Sequence, residues 1–531
     1  MTTTPPQTTA PRGGALAPLA IPVFRALWLA VLVSNIGSWM QTVGAQWLLV
    51  DEHAPAVVIA LVQTASSLPV LLIGIPAGVI GEFVDRRRLL IGVQAFQVVV
   101  GVALTVLTAT GAMTPALLLT VTFLLGAASA LQLPAYQALV PEIVPRAAIT
   151  DASALSSVGV NIARAIGPAL AGIVIAQLGV PFVFAANAVS FALFLVVLVG
   201  WRGYQRPETR AEPFLDATRA GLRYVLHAGV VRRLLVQLAV FMVPANALWA
   251  LLPILASGPL GLSSGGYGLL LAAVGIGSVG GAFVMPAVRA RLGTGGTVAV
   301  ASAVFGVSNV VVALVPVLPV VLVALVLGGV AWIGVVTTLN GTVQAFLPAW
   351  VRSRGLAVYQ LVLFGGTAIG AALAGAIATA VGVVPVLAVA GVITGLSALL
   401  VVAWRFPVLT DRQRAAVPMP LGDVTVLPAE TTGTGETLVL VHWTVPEASV
   451  EAFRERAAEL GRSRRRTGAR DWNLYRDLGS GPEAWVEAFR VGSWQEHLAQ
   501  HEVRQTGDDA RTLEAVHAVV GEPRVEHLVA D

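Results

Sequence analysis

The chain has neither cysteine nor lysine in its 531 residues. Without cysteine there can be no disulfide, thiolate metal site or thiol nucleophile. Without lysine there is no Walker-type phosphate loop, because that loop needs a lysine on the β- and γ-phosphates. Uphill work must therefore draw on an ion gradient or a partner. Charge is scarce: 12% of residues are charged and 56% are hydrophobic, far from the composition of a soluble domain. Acids are missing from the middle of every long apolar run. Glu82 and Asp85 stand at one edge, Asp51 and Glu52 at the other. Residues 1–23 are Thr/Pro/Ala-rich with no short apolar segment, so they read as a disordered cytoplasmic tail and not a cleaved signal peptide.

What is present is a series of twelve apolar runs, at 24–50, 56–82, 89–110, 115–140, 153–177, 180–201, 230–256, 264–288, 297–315, 318–345, 355–381 and 383–404. Each is long enough to cross a ~30 Å hydrocarbon core. The odd-numbered connections carry no arginine. The even-numbered ones carry Arg86 to Arg88, Arg146, seven arginines from Arg202 to Arg233, Arg289 and Arg291, and Arg352 and Arg354. Arginine-rich loops stay cytoplasmic, which predicts twelve spans with both termini inside and makes transport the leading reading. Residues 1–404 hold 18 arginines against 9 acids, and residues 405–531 hold 15 against 20, so a net charge of +4 joins a basic part to an acidic one. The positive charge is scattered over loops. That fits contact with anionic lipid headgroups in the bilayer and gives no nucleic-acid surface.

The two halves repeat at a fixed offset of 203 residues. Ile166 to Gly172 (IGPALAG) aligns with Ile369 to Gly375 (IGAALAG), Pro145 with Pro348, Arg86 with Arg289, Arg88 with Arg291 and Gly78 with Gly281. The expected organisation is a six-helix half at 24–201, a cytoplasmic loop at 202–229 and a second six-helix half at 230–404. Phe214, Leu215, Leu222, Val225 and Leu226 give the loop an amphipathic helical pattern. Two parallel halves around a midplane site is a transporter architecture. Residues 405–435 are Pro/Thr/Gly-rich and read as a linker. Residues 436–531 read as a soluble α+β domain: strand TLVLVHWTV, helix Glu447 to Arg464, strands ARDWNLYRD and EAWVEAFRV, one helix from Ser493 to Val519, and strand RVEHLVA. This β-α-β-β-α-β order is ferredoxin-like.

Arg164 is the one arginine deep in a span, and a mid-membrane charge faces a cavity or a partner. It either contacts an anionic or carbonyl group of a substrate or donates to backbone carbonyls and Asn161. Neutral polar side chains complete the inventory: Asn35, Gln41 and Gln46 in the first span, Gln132 and Tyr136 in the fourth, Gln237 and Asn246 in the seventh, Asn340 and Gln344 in the tenth. These are candidate substrate contacts or helix-to-helix glue.

The loop AGVIGEFVDRRRLL resembles the signature loop of the major facilitator superfamily through Gly81, Asp85 and Arg86, although its second glycine and full basic spacing are missing. In that family the loop is a conformational latch, and an aspartate suits it because it can accept from free N–H groups at a helix N-terminus; the helix near Gly355 is the expected partner. The alternative is that Arg86 to Arg88 only enforce topology. Gly159, Gly167, Pro168 and Gly172 resemble the helix-bend motif of superfamily exporters. The opening FRALWLAVLVSNIGSWMQTVGAQWLL and the tail RRRTGARDWNLYRD with WVEAFRVGSWQEHLAQHEVRQT resemble the transmembrane secretion effector branch, related to the bacterial enterobactin exporter. The resemblance implies an all-α polytopic major facilitator fold in a bacterial plasma membrane, a cavity lined by the first, fourth, seventh and tenth spans, and export of a small organic molecule by proton antiport without cofactor or metal. Asp51 and Glu52 are then the candidate proton carriers. Alternatives are solute uptake, or a membrane-tethered enzyme or sensor acting through 436–531. The tail also resembles small antibiotic-biosynthesis monooxygenases, with His497, His501, Trp472, Trp485 and Asn473 as site candidates, against a bland reading in which both tryptophans are core. The same domain is a candidate for self-association.

Overall fold

The structure, a computed structural model, describes residues 16–83, 85–201, 222–404, 417 and 435–530. Its helices are α1 Pro22–Asp51, α2 Ala56–Phe83, α3 Arg86–Ala109, α4 Pro115–Ile143, α5 Ile149–Leu178, α6 Val180–Gly200, α7 Gly229–Ser257, α8 Ser264–Leu314, α9 Leu318–Phe346, α10 Arg352–Val381, α11 Val383–Leu396 and α12 Ala398–Ala403. Among the described residues, eleven helical stretches are long and apolar enough to cross a membrane. The 51-residue α8 is about 77 Å long at ~1.5 Å per residue, more than twice the ~30 Å core. It contains one non-helical residue, Gly293, at φ 68. A side chain there would be strained, and the break lies just after Arg289 and Arg291.

Expected tail residues 17–20 instead form a 3-10 turn with Pro18 buried, and α1 begins at Pro22. Proline suits both helix starts because its missing N–H would be unpaired there anyway. Most of the expected loop helix, including Phe214 and Leu215, lies outside the described residues. So does the linker, apart from residues 417 and 435.

The chain divides into two compact units, one holding residues up to 211, 237–338 and 361–403, the other 212–236, 339–360 and 404–531. In the first, α1 packs on α5 and α6, α2 on α4, and α3 on α6. Phe24, Leu27, Leu90, Leu139, Phe194 and Leu198 form a core at one end of this half. Val99, Val196 and Phe283 point outward at 68%, 67% and 81% exposure, as residues facing lipid must. Two glycines 203 residues apart make similar close contacts. A Cβ on Gly126 of α4 would lie 2.7 Å from the Ser66 carbonyl of α2. A Cβ on Gly329, 203 residues on, would lie 2.1 Å from the Val274 carbonyl of α8.

In the second unit, β1 Thr437–Thr444, β2 Arg470–Arg476, β3 Ala484–Val491 and β4 Arg524–Val529 form an antiparallel sheet in the order β2-β3-β1-β4. Helices α13 Val450–Thr467, α14 Trp494–Ala499 and α15 Gly507–Val520 complete the β-α-β-β-α-β succession. Val439, Val441, Trp443, Phe453, Leu460 and Phe489 form its core. The single helix expected from Ser493 to Val519 is broken. A π-turn at Gln500–Arg504 follows α14, and Thr506 then starts α15 with a capping box to Asp509. A cap needs a non-helical residue, so the helix stops where Thr506 turns back. Trp485 is core as expected, while Trp472 is half-buried, with its indole N–H donating to Glu487 at 2.8 Å.

His497 is wholly buried, its ring 4.8 Å from that of His501 and 4.9 Å from that of His527. Burial, aided by these two neighbours, pulls its imidazole down to about 3. The unfolded chain then takes up a proton near pH 6.5 that the folded one refuses. Stability present above pH 6.5 is lost as pH falls from there toward 3, by roughly 1.4 kcal/mol per pH unit for this one group. Amide exchange across β1 to β4 of the full chain is expected to accelerate between pH 7 and pH 5, after correction for intrinsic rates, and to do so less in His497→Phe.

Candidate transport site

Arg164 occupies the middle of α5, about 22 Å from Ile149 and about 21 Å from Leu178. α5 runs unbroken through Pro168. Glycines seat it against α1: a Cβ on Gly167 would lie 2.7 Å from Cβ of Trp39, and one on Gly159 would lie 3.5 Å from the Trp28 indole nitrogen. That close approach places the Arg164 guanidinium 5.5 Å from the centroid of the Trp39 ring. The Arg164 Nε is buried with no hydrogen-bond partner among the described residues. The structural alternative has Arg164 donating to Asn161, but no bond joins the two among the described residues; the Asn161 amide N–H donates to the Ser157 carbonyl of its own helix at 3.0 Å. The charge is thus held by an aromatic face and not by a carboxylate, an arrangement worth about 2 kcal/mol or more where water is excluded.

Trp39 leads across to the second half. Its ring lies 6.4 Å from that of Trp249 on α7, which is 5.7 Å from that of Trp332 on α9. The Trp249 indole N–H is buried and also lacks an acceptor among the described residues. The Arg164 Nε–H and the Trp249 indole N–H are thus both buried donors without acceptors among the described residues, in residues that neighbour the Trp39 ring. Trp249, Trp332 and Tyr267 were not singled out from sequence, since an aromatic residue inside an apolar helix carries no signal of its own.

The amides divide by what they bind. Gln46 is 1% exposed, donates to the Trp249 carbonyl at 3.3 Å and accepts from the Tyr267 hydroxyl at 2.7 Å. Trp47 stacks on Tyr267 with centroids 5.9 Å apart. Gln41 accepts from Asn187 of α6, Gln132 accepts from Gln94 of α3 at 2.8 Å, Gln237 donates to the Ser397 carbonyl at 3.1 Å, and Asn246 donates within its helix to Met242 at 2.6 Å. Gln344 donates to Asn340 one turn away. These bonds join helices or stay within one. Asn35 is half-buried and Tyr136 is 7% exposed.

Near the helix ends bearing the arginine-free connectors, the halves are in direct contact. A Cβ on Gly172 would lie 2.9 Å from the Gly268 Cα, and one on Gly375 would lie 2.4 Å from the Ala60 Cβ. Val57 donates its N–H to Thr379 at 3.1 Å, and Thr64 donates to the Ala368 carbonyl at 2.9 Å. Asp51 and Glu52 are exposed at the end of α1.

At the other end, Asp85 caps its own helix, accepting from the Arg88 N–H at 2.9 Å. Arg86 pairs with Glu142 and donates to the Ala138 carbonyl at 3.2 Å, tying α3 to α4, and its repeat mate Arg289 donates to Thr338 at 3.1 Å. Arg87 donates to the last carbonyls of α6, Leu198 at 2.9 Å and Val199 at 3.0 Å, where a cation meets the negative helix end. Gly81 lies in α2.

Of the tail candidates, Asn473 is exposed and donates to the Asp471 carbonyl at 3.0 Å. Among the described residues no group of histidines and acids is arranged to hold a metal ion.

Known proteins bear on this arrangement. The chain is 26% identical to the staphyloferrin A transporter of Staphylococcus aureus over 276 residues, 51% of this chain and 69% of that one. It is 26% identical to the multidrug efflux pump Tap of Mycobacterium tuberculosis over 422 residues, 76% and 98% of the two chains. Among solved structures, a bacterial homologue of the human lysosomal transporter Spinster, inward-facing and occupied, aligns with TM-score 0.59 and 14% identity over 75% of this chain and 99% of that one. The nucleoside transporter NupG aligns with TM-score 0.54 and 12% identity over 72% and 100%. At such identities these two speak for the fold alone. The family profile described as transmembrane secretion effector matches residues 13–531, and the chain belongs to that family of major facilitator transporters, a multi-pass membrane protein and not an enzyme.

Proposed function

We propose that this chain is a secondary active exporter of a small organic molecule rich in hydrogen-bond acceptors and carrying aromatic surface. The observation that carries the reading is Arg164, a mid-membrane guanidinium backed by Trp39 and lacking any acidic partner among the described residues. Donors without acceptors favour carboxylates, phenolates and carbonyls over organic cations. The efflux-pump and siderophore-transporter relatives support export of such molecules. On this reading the break at Gly293 divides α8 into two spans, twelve in all, with the arginine-bearing loops cytoplasmic. Contact of the halves at the opposite ends then supports a state open toward the cytoplasm. Thermal unfolding of the purified protein tests the substrate class: aromatic carboxylates and catecholates should raise the melting temperature, and stabilisation by lipophilic cations alone would contradict it.

The proposed driving force is proton antiport, with Asp51 or Glu52 titrating at the outer mouth. Asp51→Asn combined with Glu52→Gln is expected to abolish flux driven by a pH gradient while leaving downhill exchange intact. Full pH-driven flux in that double variant would remove the assignment.

The latch role of Asp85 has a test that its capping bond makes sharper. Asparagine caps a helix as well as aspartate, whereas alanine costs about 1 kcal/mol. If Asp85 only caps α3, Asp85→Asn should transport normally and Asp85→Ala should melt lower. If the charge also latches the cytoplasmic side, Asp85→Asn should lose several-fold in flux at unchanged melting temperature, which is the expected result.

A further inference from the structure

The carboxyl-terminal domain makes a built contact with two cytoplasmic connectors of the second unit, and the exporter reading does not use it. Three anchors make the contact. Glu496, at the start of α14 and 8% exposed, accepts from Arg223 of the helical segment 222–227 at 3.4 Å. The same carboxylate is held from within the domain by Arg504 at 2.9 Å, the Gly492 N–H at 3.0 Å and Arg470 at 3.9 Å. Arg504 in turn lies over Trp350, in the connector between α9 and α10, with its guanidinium carbon 5.0 Å from the ring centroid. Tyr224 fills the space between. It is 5% exposed and meets the Trp350 ring edge-on at 5.6 Å. Its phenol is pushed up to about 12 by burial, with the paired Arg466 and Asp509 of the domain close enough to act on it.

Glu496 is oriented before Arg223 reaches it, because three partners within the domain already hold it. Arg504 is likewise fixed by Glu496 and by the Thr467 carbonyl at 3.2 Å, so its flat face is available to Trp350. A preorganised guanidinium loses little freedom on stacking, and an ion pair of this kind is strong only when its geometry is set in advance. The π-turn at Gln500–Arg504, which breaks the expected helix, is what brings Arg504 back to Glu496. Val417 of the connecting segment donates to the Gln505 carbonyl at 3.0 Å, adjoining the same turn.

We propose that the carboxyl-terminal domain is an intramolecular brake: by binding segment 222–227 and Trp350 it restrains the ends of α9 and α10 and slows the exchange between transport states. Alternating access requires those ends to move, so the brake rests on the exporter reading. The interaction surface is the Glu496, Arg504 and Arg466–Asp509 face of the domain, and its partner is an aromatic and basic patch of the same chain.

The test uses the full chain in lipid nanodiscs with Arg223→Ala or, as an alteration outside the domain at the other anchor, Trp350→Ala. Hydrogen exchange of residues 222–227 and 346–352 reports docking. Maleimide labelling of Ala60→Cys, single in this cysteine-free chain and buried against Gly375 where the halves meet, reports opening between the halves. Both variants are expected to speed exchange at least tenfold in those segments, to leave β1 to β4 unchanged and to raise the labelling rate several-fold. Unchanged exchange in both variants overturns the docking. Raised exchange with the wild-type labelling rate overturns the brake while leaving the exporter reading in place. A complete absence of labelling in every variant overturns alternating access, and the brake with it.

Discussion

Arg164→Ala is expected to raise the half-saturating substrate concentration by at least roughly thirtyfold, or to abolish saturable flux, while the protein still inserts and melts within a few degrees of wild type. The magnitude follows from removing one partner of a desolvated charged contact, roughly 2–5 kcal/mol, with tenfold in affinity for each ~1.4 kcal/mol. Melting should change little because no hydrogen bond or ion pair among the described residues depends on the guanidinium, whose neighbour is the Trp39 ring. Arg164→Lys should recover only part of the function. An ammonium keeps the charge but loses the planar fork and the broad stacking face. A large drop in melting temperature with normal ligand-induced stabilisation would assign the arginine to structure instead. The measurement is ligand-induced melting alongside flux on one preparation.

The second large effect is expected at Gly172. A Cβ there meets the Gly268 Cα at 2.9 Å and the Ser264 carbonyl at 2.9 Å, both backbone atoms that cannot rotate aside. Gly172→Val should therefore wedge α5 away from α8 and disfavour contact of the halves by roughly 1–3 kcal/mol, which is roughly 5- to 150-fold in the population of the closed seam. Flux should fall accordingly, and labelling of Ala60→Cys should rise because Ala60 lies buried against Gly375 in the same seam. Gly159→Ala serves as the comparison, since a Cβ there meets only the Trp28 ring at 3.5 Å, ordinary contact. Equal labelling and flux in Gly172→Val and wild type would remove this seam from the transport cycle.

These two sites differ in how far the sequence reveals them. Arg164 was legible because a solitary charge amid apolar residues is conspicuous, and the lack of a mid-span acid followed from inspection. Its partner was not legible. Trp39 is one aromatic residue in an apolar run, and nothing in a linear chain says that Gly167 brings its helix to that ring. The amides show the limit most clearly. Gln41 and Gln46 looked equivalent, five residues apart, yet one meets Asn187 within its own half and the other bridges to Trp249 and Tyr267 of the second. Helical spacing fixes the face of a side chain but not what packs against it. Most helices lie within a few residues of the expected runs, because hydropathy marks where a chain can enter a bilayer. The exceptions are the runs at 264–288 and 297–315, which form the single helix α8, and the run at 383–404, which divides into α11 and α12. In the tail the expected strands form, and burial alternates along β1 and β3. The π-turn after α14 escaped because it is held by non-local bonds of Glu496, Arg504 and Thr467.

The central claim is outward, gradient-driven movement of an acceptor-rich organic molecule by this chain alone. Its most direct test is purified protein in sealed liposomes loaded with neither nucleotide nor partner, with an imposed proton gradient and a fluorescent aromatic carboxylate as probe. The expected result is saturable accumulation against the probe's own gradient, collapsed by a protonophore and lost in Arg164→Ala. Probe movement that only follows its own gradient, unaffected by the protonophore and equal in the Arg164→Ala protein, would contradict the account.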